Sequence, residues 1–274
     1  MMMGSIPSGS ANKRKEIIMR DPMDALTEHY IAISKDYPDY NFLGIFLYGS
    51  QNYGLATEDS DVDSIAIVIP TIEDIILRKP ICKEIIFENK EHCNIKDIRE
   101  VVKEWKKQSL QALEILFTDY FIVKPEYVSY WNNFLNIRND IAHYDVERTF
   151  KSISGQAKQT YLRNPSDRKQ IANTYRLYYF LRSYLMGCSY KTCLTSNSIA
   201  TLGVKTGEIP LNDSINEDIA DIVFNRFPKL EDTSWKVKDV LGVGQKIDEY
   251  LVKLIKGVEY EEDVKTILDK MENI

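Results

Sequence analysis

Hydrophobic texture changes once along this chain, near Asp97. Before it, the apolar residues fall in short runs rich in Ile, Val and Phe (NFLGIFLY, DSIAIVIP, KEIIFE and HCNIK), separated by polar or glycine turns. Runs of that length and composition read as strands. After it, IREVVKEW, LQALEILF and YVSYWNNFLNI carry apolar residues at helical spacing, and DIADIVFNRF and QKIDEYLVKLI continue the pattern. Asp97 reads as a helix N-cap, with Glu100 three residues later as in a capping box. One more helix is expected ahead of the strands, from Met23 to Tyr37, with Leu26, Tyr30 and Ile33 on its apolar face. The expectation is an α+β protein: a small mixed-sheet domain over residues 21–123 and an all-helical domain over 124–274. Pro165, Gly203, Gly207 and Pro210 mark loops between the later helices. LGVGQK, from Leu241 to Lys246, lacks the spacing and the Ser/Thr of a phosphate loop and reads as a turn. Residues 1–20 have neither an apolar signal core nor helical periodicity and read as a flexible leader.

With 274 residues, 44% hydrophobic and 28% charged, the chain can bury a substantial core. The net charge of −6 does not advertise nucleic-acid binding over the whole surface. One segment departs from the average. From Val146 to Lys191 there are nine Lys/Arg against two Asp/Glu, with six tyrosines interleaved. The four cysteines (Cys82, Cys93, Cys188 and Cys193) have no paired spacing and no nearby histidines, which argues against zinc and for a reducing, cytoplasmic compartment. No apolar run reaches membrane-spanning length, so no membrane partner is expected.

The stretch FLYGSQNYGLATEDSDVDSIAIVI carries the chemistry. Ten residues separate Gly49-Ser50 from Asp61-Val62-Asp63, which leads directly into an apolar strand. Residues two apart on a strand face the same side, so Asp61 and Asp63 point together. Two carboxylates that close repel unless a cation lies between them, and hard oxygen ligands suit Mg²⁺ completed by substrate phosphates. A strand ending at Tyr48-Gly49-Ser50 that turns sharply into a helix would bring backbone N–H groups and a hydroxyl to a triphosphate.

This pattern resembles the minimal signature of the DNA polymerase β superfamily of nucleotidyltransferases. The form GSQNYGLATEDSDVD is similar to a bacterial and phage branch of it. The resemblance continues through NIKDIREVVKEWKKQSLQALEILFTDYFI, IAHYDVERTFKSISGQAKQTYLRNP, DRKQIANTYRLYYFLRSYLMGCSYKTCL and LGVKTGEIPL, from about Asn41 to Leu211. It implies transfer of a nucleoside monophosphate from an NTP, with release of pyrophosphate. Asp61 and Asp63 would hold Mg²⁺ or Mn²⁺, and Gly49 and Ser50 would bind the terminal phosphates. The acceptor is not implied; an RNA or tRNA end, a protein hydroxyl and a small molecule all remain open.

The superfamily usually adds a third carboxylate on a neighbouring strand. By block matching that position falls on Asn94, in the HCNIK strand, where Cys93 and Ile95 would face the core and His92, Asn94 and Lys96 the open side. An amide can offer an oxygen to a metal but accepts no proton. Three alternatives follow: Asn94 is a tolerated ligand, Asp97 or Glu91 supplies the acid, or turnover is weakened. Lys169, Asn173 and Arg176 are spaced to share one helix face. The branch reads Lys, usually His, then Arg there, so Asn173 departs from it. Against a solvated basic face, the resemblance favours a role in neutralising triphosphate charge. Tyr175, Tyr178, Tyr179 and Tyr184 read first as helix-packing residues. Glu114, in an apolar stretch, reads as a structural cap or pair before a catalytic group. Arg138-Asn139-Asp140-Ile141-Ala142-His143 fits the short R-N-x-x-x-H pattern of HEPN ribonucleases, which suggests metal-independent RNA cleavage as an alternative. A nucleotide-binding module without turnover is a third.

Overall fold

The computed structural model describes residues 20–57, 60–197, 199–233 and 242–257. A first helix, α1 (Pro22–Asp36), is capped by the Asp21 side chain. Strands β1 (Phe42–Tyr48) and β2 (Asp63–Val68) follow, then a short helix α2 (Ile72–Ile76), strands β3 (Cys82–Ile86) and β4 (His92–Asp97), helices α3 (Ile98–Lys106) and α4 (Leu110–Glu114), and strand β5 (Phe121–Val123). The rest is helical: α5 (Val128–Asn136), α6 (Arg138–Ala142), α7 (Val146–Arg163), α8 (Arg168–Leu185), α9 (Tyr190–Leu194), α10 (Ile199–Thr206) and α11 (Asp213–Asp221), with residues 242–257 forming a further helix. The sheet order is β3-β4-β2-β1-β5. Only the β2–β4 pairing is parallel, so the sheet is mixed and the protein is α+β.

The alternation of side chains along the strands gives the sheet two covered faces. Ile45, Leu47, Ala66, Val68, Cys93 and Ile95 pack with Ala25, Leu26 and Ile33 of α1. Phe46, Ile65 and Ile67 face the other way and join Trp105, Trp131, Phe134, Phe180 and Tyr184 from the helices. Burying side chains of this size contributes about 1.5–3 kcal/mol each, which holds the helices onto the sheet. Among the described residues no helix is long and apolar enough to cross a membrane.

Several local expectations change. Strand β5 carries no periodic signal in three residues and exists because it completes the sheet beside β1. LQALEILF is helical only to Glu114, after which the chain turns. Asp97 caps α3 by accepting from the Arg99 N–H at 2.8 Å, but the capping box does not form. The Asp97 N–H is bonded to the Ile81 carbonyl instead, and Glu100 pairs with Lys103. Gly203 lies inside α10, because a Cβ there would meet Ile209 at 2.8 Å. Residues 242–246 of LGVGQK are helical rather than a turn, and Gly244 admits the Tyr144 phenol. Gly207, at φ +87°, does end a helix. The leader read over residues 1–20 lies outside the described residues except for Arg20, which ion-pairs with Glu28 and Glu91.

Candidate functional site

One cleft of about 950 Å³ opens between the end of the sheet and the helices α7, α8 and α10. Gly49, Ser50, Asp61, Asp63, Lys169, Asn173 and Arg176 all line it. The sheet register explains the first wall. Tyr48 pairs with Asp63, and Asp63 with His92 in turn, so these side chains share a face with Ile65 and Asn94. Gly49 sits against this row at φ +96°, and a Cβ on it would lie 3.4 Å from the Asp63 carboxylate. Glycine is needed there for the backbone angle.

Residues 49–54 form successive turns, not the expected helix start. The reason is a buried acid. Glu114 Oε1 accepts the Gly49 N–H at 2.7 Å and the Asn52 amide at 2.7 Å, while Oε2 accepts the Tyr53 hydroxyl. The Asn52 amide also donates to the Leu47 carbonyl at 3.1 Å. Thus the Gly49 N–H is taken, and no helix dipole adds to this end of the cleft. The Ser50 N–H and hydroxyl make no hydrogen bond among the described residues.

The opposite wall is the first half of α8, with Asp167 capping it by accepting the Gln170 N–H at 3.0 Å. Arg176 is 5% exposed, and its guanidinium lies 4.1 Å from the centre of the Tyr53 ring. Its Nε donates to Asn173 Oδ1 at 3.0 Å, whereas the buried Nη1 finds no partner among the described residues. Asn173 therefore orients the arginine. Lys205 of α10 lines the same cleft, donating to the Leu55 carbonyl and lying 3.3 Å from Ser60 Oγ. Burial and the neighbouring Lys169 lower its ammonium pKa. Arg168 Nη1 donates to the Ile209 carbonyl at 2.9 Å, just past α10, and lies 3.5 Å from the Val204 carbonyl within it, which ties α10 to α8. Nothing local in the sequence marks Lys205 as part of this cleft. It is 29 residues from the nearer of the two named cations, and only the packing of α10 on α8 brings it in.

Burial raises the Asp63 carboxyl and Asp61 adds to the rise, while His92 and Lys169 oppose it. A carboxylate so placed gains from a cation. Among the described residues, however, no group of three or more His, Cys, Asp or Glu side chains comes together to hold a metal.

Asn94 is the residue expected at the third position. It is set back from the cleft and donates its amide to the Tyr48 hydroxyl at 2.8 Å. Neither acidic alternative reaches it. Asp97 pairs with Val68 at the far end of β2 and is engaged by Arg99 through both oxygens at 3.0 Å. Glu91 is buried among Arg20, Asn89 and His29, with His29 Nε2 3.0 Å away and His29 Nδ1 2.9 Å from Ser64 Oγ. Burial opposes ionisation of Glu91, but bonds from Asn89, His29 and Arg20 hold its pKa below the usual range. Burial likewise lowers His29.

His143 does not present itself to a substrate. It is 6% exposed, stacked on Tyr184 at 4.9 Å with 6° between planes, and its Nδ1 lies 2.6 Å from the Asn139 carbonyl. The Arg138 guanidinium lies over the Phe117 ring at 5.5 Å. Tyr175 and Tyr184 are core residues, and Tyr178 and Tyr179 pack at the edge of the α8–α10–α11 cluster.

No protein-family model and no curated protein matches the sequence. Among solved structures, the chain is similar to a nucleotidyltransferase-like protein from Exiguobacterium sibiricum at 12% identity, over 87% of this chain and 75% of that one, with a TM-score of 0.29. A likeness at that level carries no argument about activity.

Proposed function

We propose that the cleft binds a nucleoside triphosphate with Mg²⁺ or Mn²⁺ and transfers its nucleoside monophosphate to an acceptor hydroxyl. The observation that carries this reading is the placement of Asp61 and Asp63 beside Gly49-Ser50 on one wall, with Lys169 and Arg176 lining the same cleft. Carboxylates for a metal beside cations for phosphates complement a metal-bound polyphosphate and little else. Two carboxylates with no third ligand among the described residues fit an ion completed by phosphate oxygens. A divalent ion there would neutralise triphosphate charge and acidify the acceptor hydroxyl.

The chain's own groups do the rest. Arg176, whose buried Nη1 has no hydrogen-bond partner among the described residues, and Lys169 both line the cleft and would bring two positive charges to the phosphates. The acceptor oxygen forms a bond to the α-phosphorus, the bond from that phosphorus to the bridging oxygen breaks, and pyrophosphate leaves. Asn94 takes no proton, so the acceptor's proton passes to solvent or to a phosphate oxygen. Turnover is expected to be slower than with a carboxylate at this position. The bond from Asn94 to Tyr48 also favours a second reading, nucleotide binding without turnover.

The test has two arms. Calorimetry with ATP should give binding with Mg²⁺ and none with EDTA, and the Asp61→Ala, Asp63→Ala double variant should lose it. Metal-dependent binding that survives the double substitution overturns the site. NTPs labelled at the α-phosphate, offered with total RNA, cell protein and small metabolites, should then mark the acceptor class. Binding with no incorporation into any of them selects the second reading.

A further inference from the structure

We propose that Glu114 is the positioning residue of this cleft, one buried carboxylate that fixes the Gly49–Tyr53 turn and, through the Tyr53 ring, the Arg176 guanidinium. The inference rests on the cleft being a phosphate site, but its structural half is testable without ligand.

Glu114 ends α4 and is completely buried. Its two oxygens take three donors from one turn: the Gly49 N–H, the Asn52 amide and the Tyr53 hydroxyl. Asn52 is itself anchored, since its Oδ1 accepts the Thr118 hydroxyl at 2.8 Å. The turn therefore has no freedom to pivot about Gly49. The Tyr53 phenol, held by Glu114 at its tip, presents its face to Arg176. Among the described residues no carboxylate bonds to Arg176; the Tyr53 ring and Asn173 hold it. Removing Glu114 would orphan the Gly49 N–H, release the phenol and take away the platform under Arg176. The charged or titratable groups that act on this carboxylate or are acted on by it are Tyr48 of β1, Tyr53 of the turn, Arg176 of α8 and Tyr190 of α9.

The conservative variant separates positioning from bulk. Gln at 114 can accept from Gly49 and Asn52 with its oxygen and donate to the Tyr53 hydroxyl with its nitrogen. Met fills the space and offers none of these bonds. Amide hydrogen exchange in the ligand-free protein reads the turn: the Gly49 N–H should stay protected in Glu114→Gln and exchange at least about tenfold faster in Glu114→Met. Calorimetry with MgATP and with inorganic tripolyphosphate reads the cleft. Glu114→Gln should stay within about threefold of the parent, and Glu114→Met should weaken by about tenfold or more, the scale of one lost charge-assisted hydrogen bond.

Should Glu114→Met fail to fold, Tyr53→Leu carries the test, because it removes the platform and leaves the bonds to Gly49 and Asn52. It should weaken tripolyphosphate binding with Gly49 still protected. Parent-like Gly49 exchange in Glu114→Met, or parent-like anion affinity in Tyr53→Leu, overturns the proposal. A parent protein that binds neither MgATP nor tripolyphosphate overturns the phosphate reading instead, with the exchange result standing by itself.

Discussion

The Asn94 amide donates to the Tyr48 hydroxyl at 2.8 Å, so a neutral hydrogen bond, and not an acid, stands behind the Tyr48 wall of the cleft. Replacing Asn94 by Asp lets the Tyr48 hydroxyl donate instead, with no change of backbone, and adds a group that can take a proton. General-base assistance contributes about 10²- to 10⁴-fold, so nucleotidyl transfer should rise by at least about tenfold with little change in nucleotide affinity. Asp97→Asn is the control. It leaves Arg99 without its carboxylate and should cost about 1–3 kcal/mol in denaturant unfolding, with turnover intact. The opposite pattern, an inert Asn94→Asp and an inactive but stable Asp97→Asn, would place the third acid at Asp97.

The buried, stacked ring of His143 yields a prediction against RNA cleavage. His143→Ala opens a gap against Tyr184 and should lower stability by about 1–3 kcal/mol while leaving MgATP affinity unchanged. Incubation with RNA in EDTA should show no cleavage that depends on this residue. Metal-free cleavage by the parent that His143→Ala abolishes would refute the placement.

Much of this architecture was legible in advance because its signals are local. The four longer strands announce themselves by β-branched runs, and the HCNIK register follows from alternation alone: Cys93 and Ile95 are buried, while His92, Asn94 and Lys96 are half-buried. What could not be read depends on distant partners. Glu114 was conspicuous as a charge among apolar residues, yet nothing in the sequence says that its donors lie more than 60 positions upstream. Lys205 reaches the cleft only because α10 packs on α8. Gly203 and Gly244 look like turns but serve close approach, a property of the neighbour they admit.

Burial pushes the Glu114 carboxyl up to about 7, although Tyr53, Asn52, Gly49 and Arg176 all pull it down. Between its ordinary value of 4.5 and about 7, the folded state holds the proton more tightly than the unfolded chain. The contribution of this group to stability is thus full below 4.5 and is lost as pH rises through about 7, by about 3 kcal/mol on the linkage relation. His29 and Glu91 have lowered values and act in the opposite sense, losing stability on acidification. Comparing Glu114→Gln with the parent cancels them. The melting temperature of Glu114→Gln should gain on the parent from pH 5 to about pH 7 and level off above it. A flat difference would show that the carboxyl keeps an ordinary value.

Arg176 should exact a stability penalty that its ligand removes. A guanidinium 5% exposed with Nη1 unbonded is a buried donor left unsatisfied, which costs about 1–3 kcal/mol. Met matches the stem and carries no donor, and Glu114, already holding three hydrogen bonds, loses only a distant charge. Arg176→Met should therefore melt at the parent temperature or above it, since replacing a poorly compensated buried charge is often neutral or stabilising. If the cleft holds phosphates as proposed, the same change removes hydrogen bonds to one of them, and tripolyphosphate affinity should fall by about tenfold or more. Stability unchanged or raised together with affinity lost is the signature of a residue held ready for an anion. Lower stability at unchanged affinity would mean that Arg176 is packing and that the phosphate is held elsewhere in the cleft.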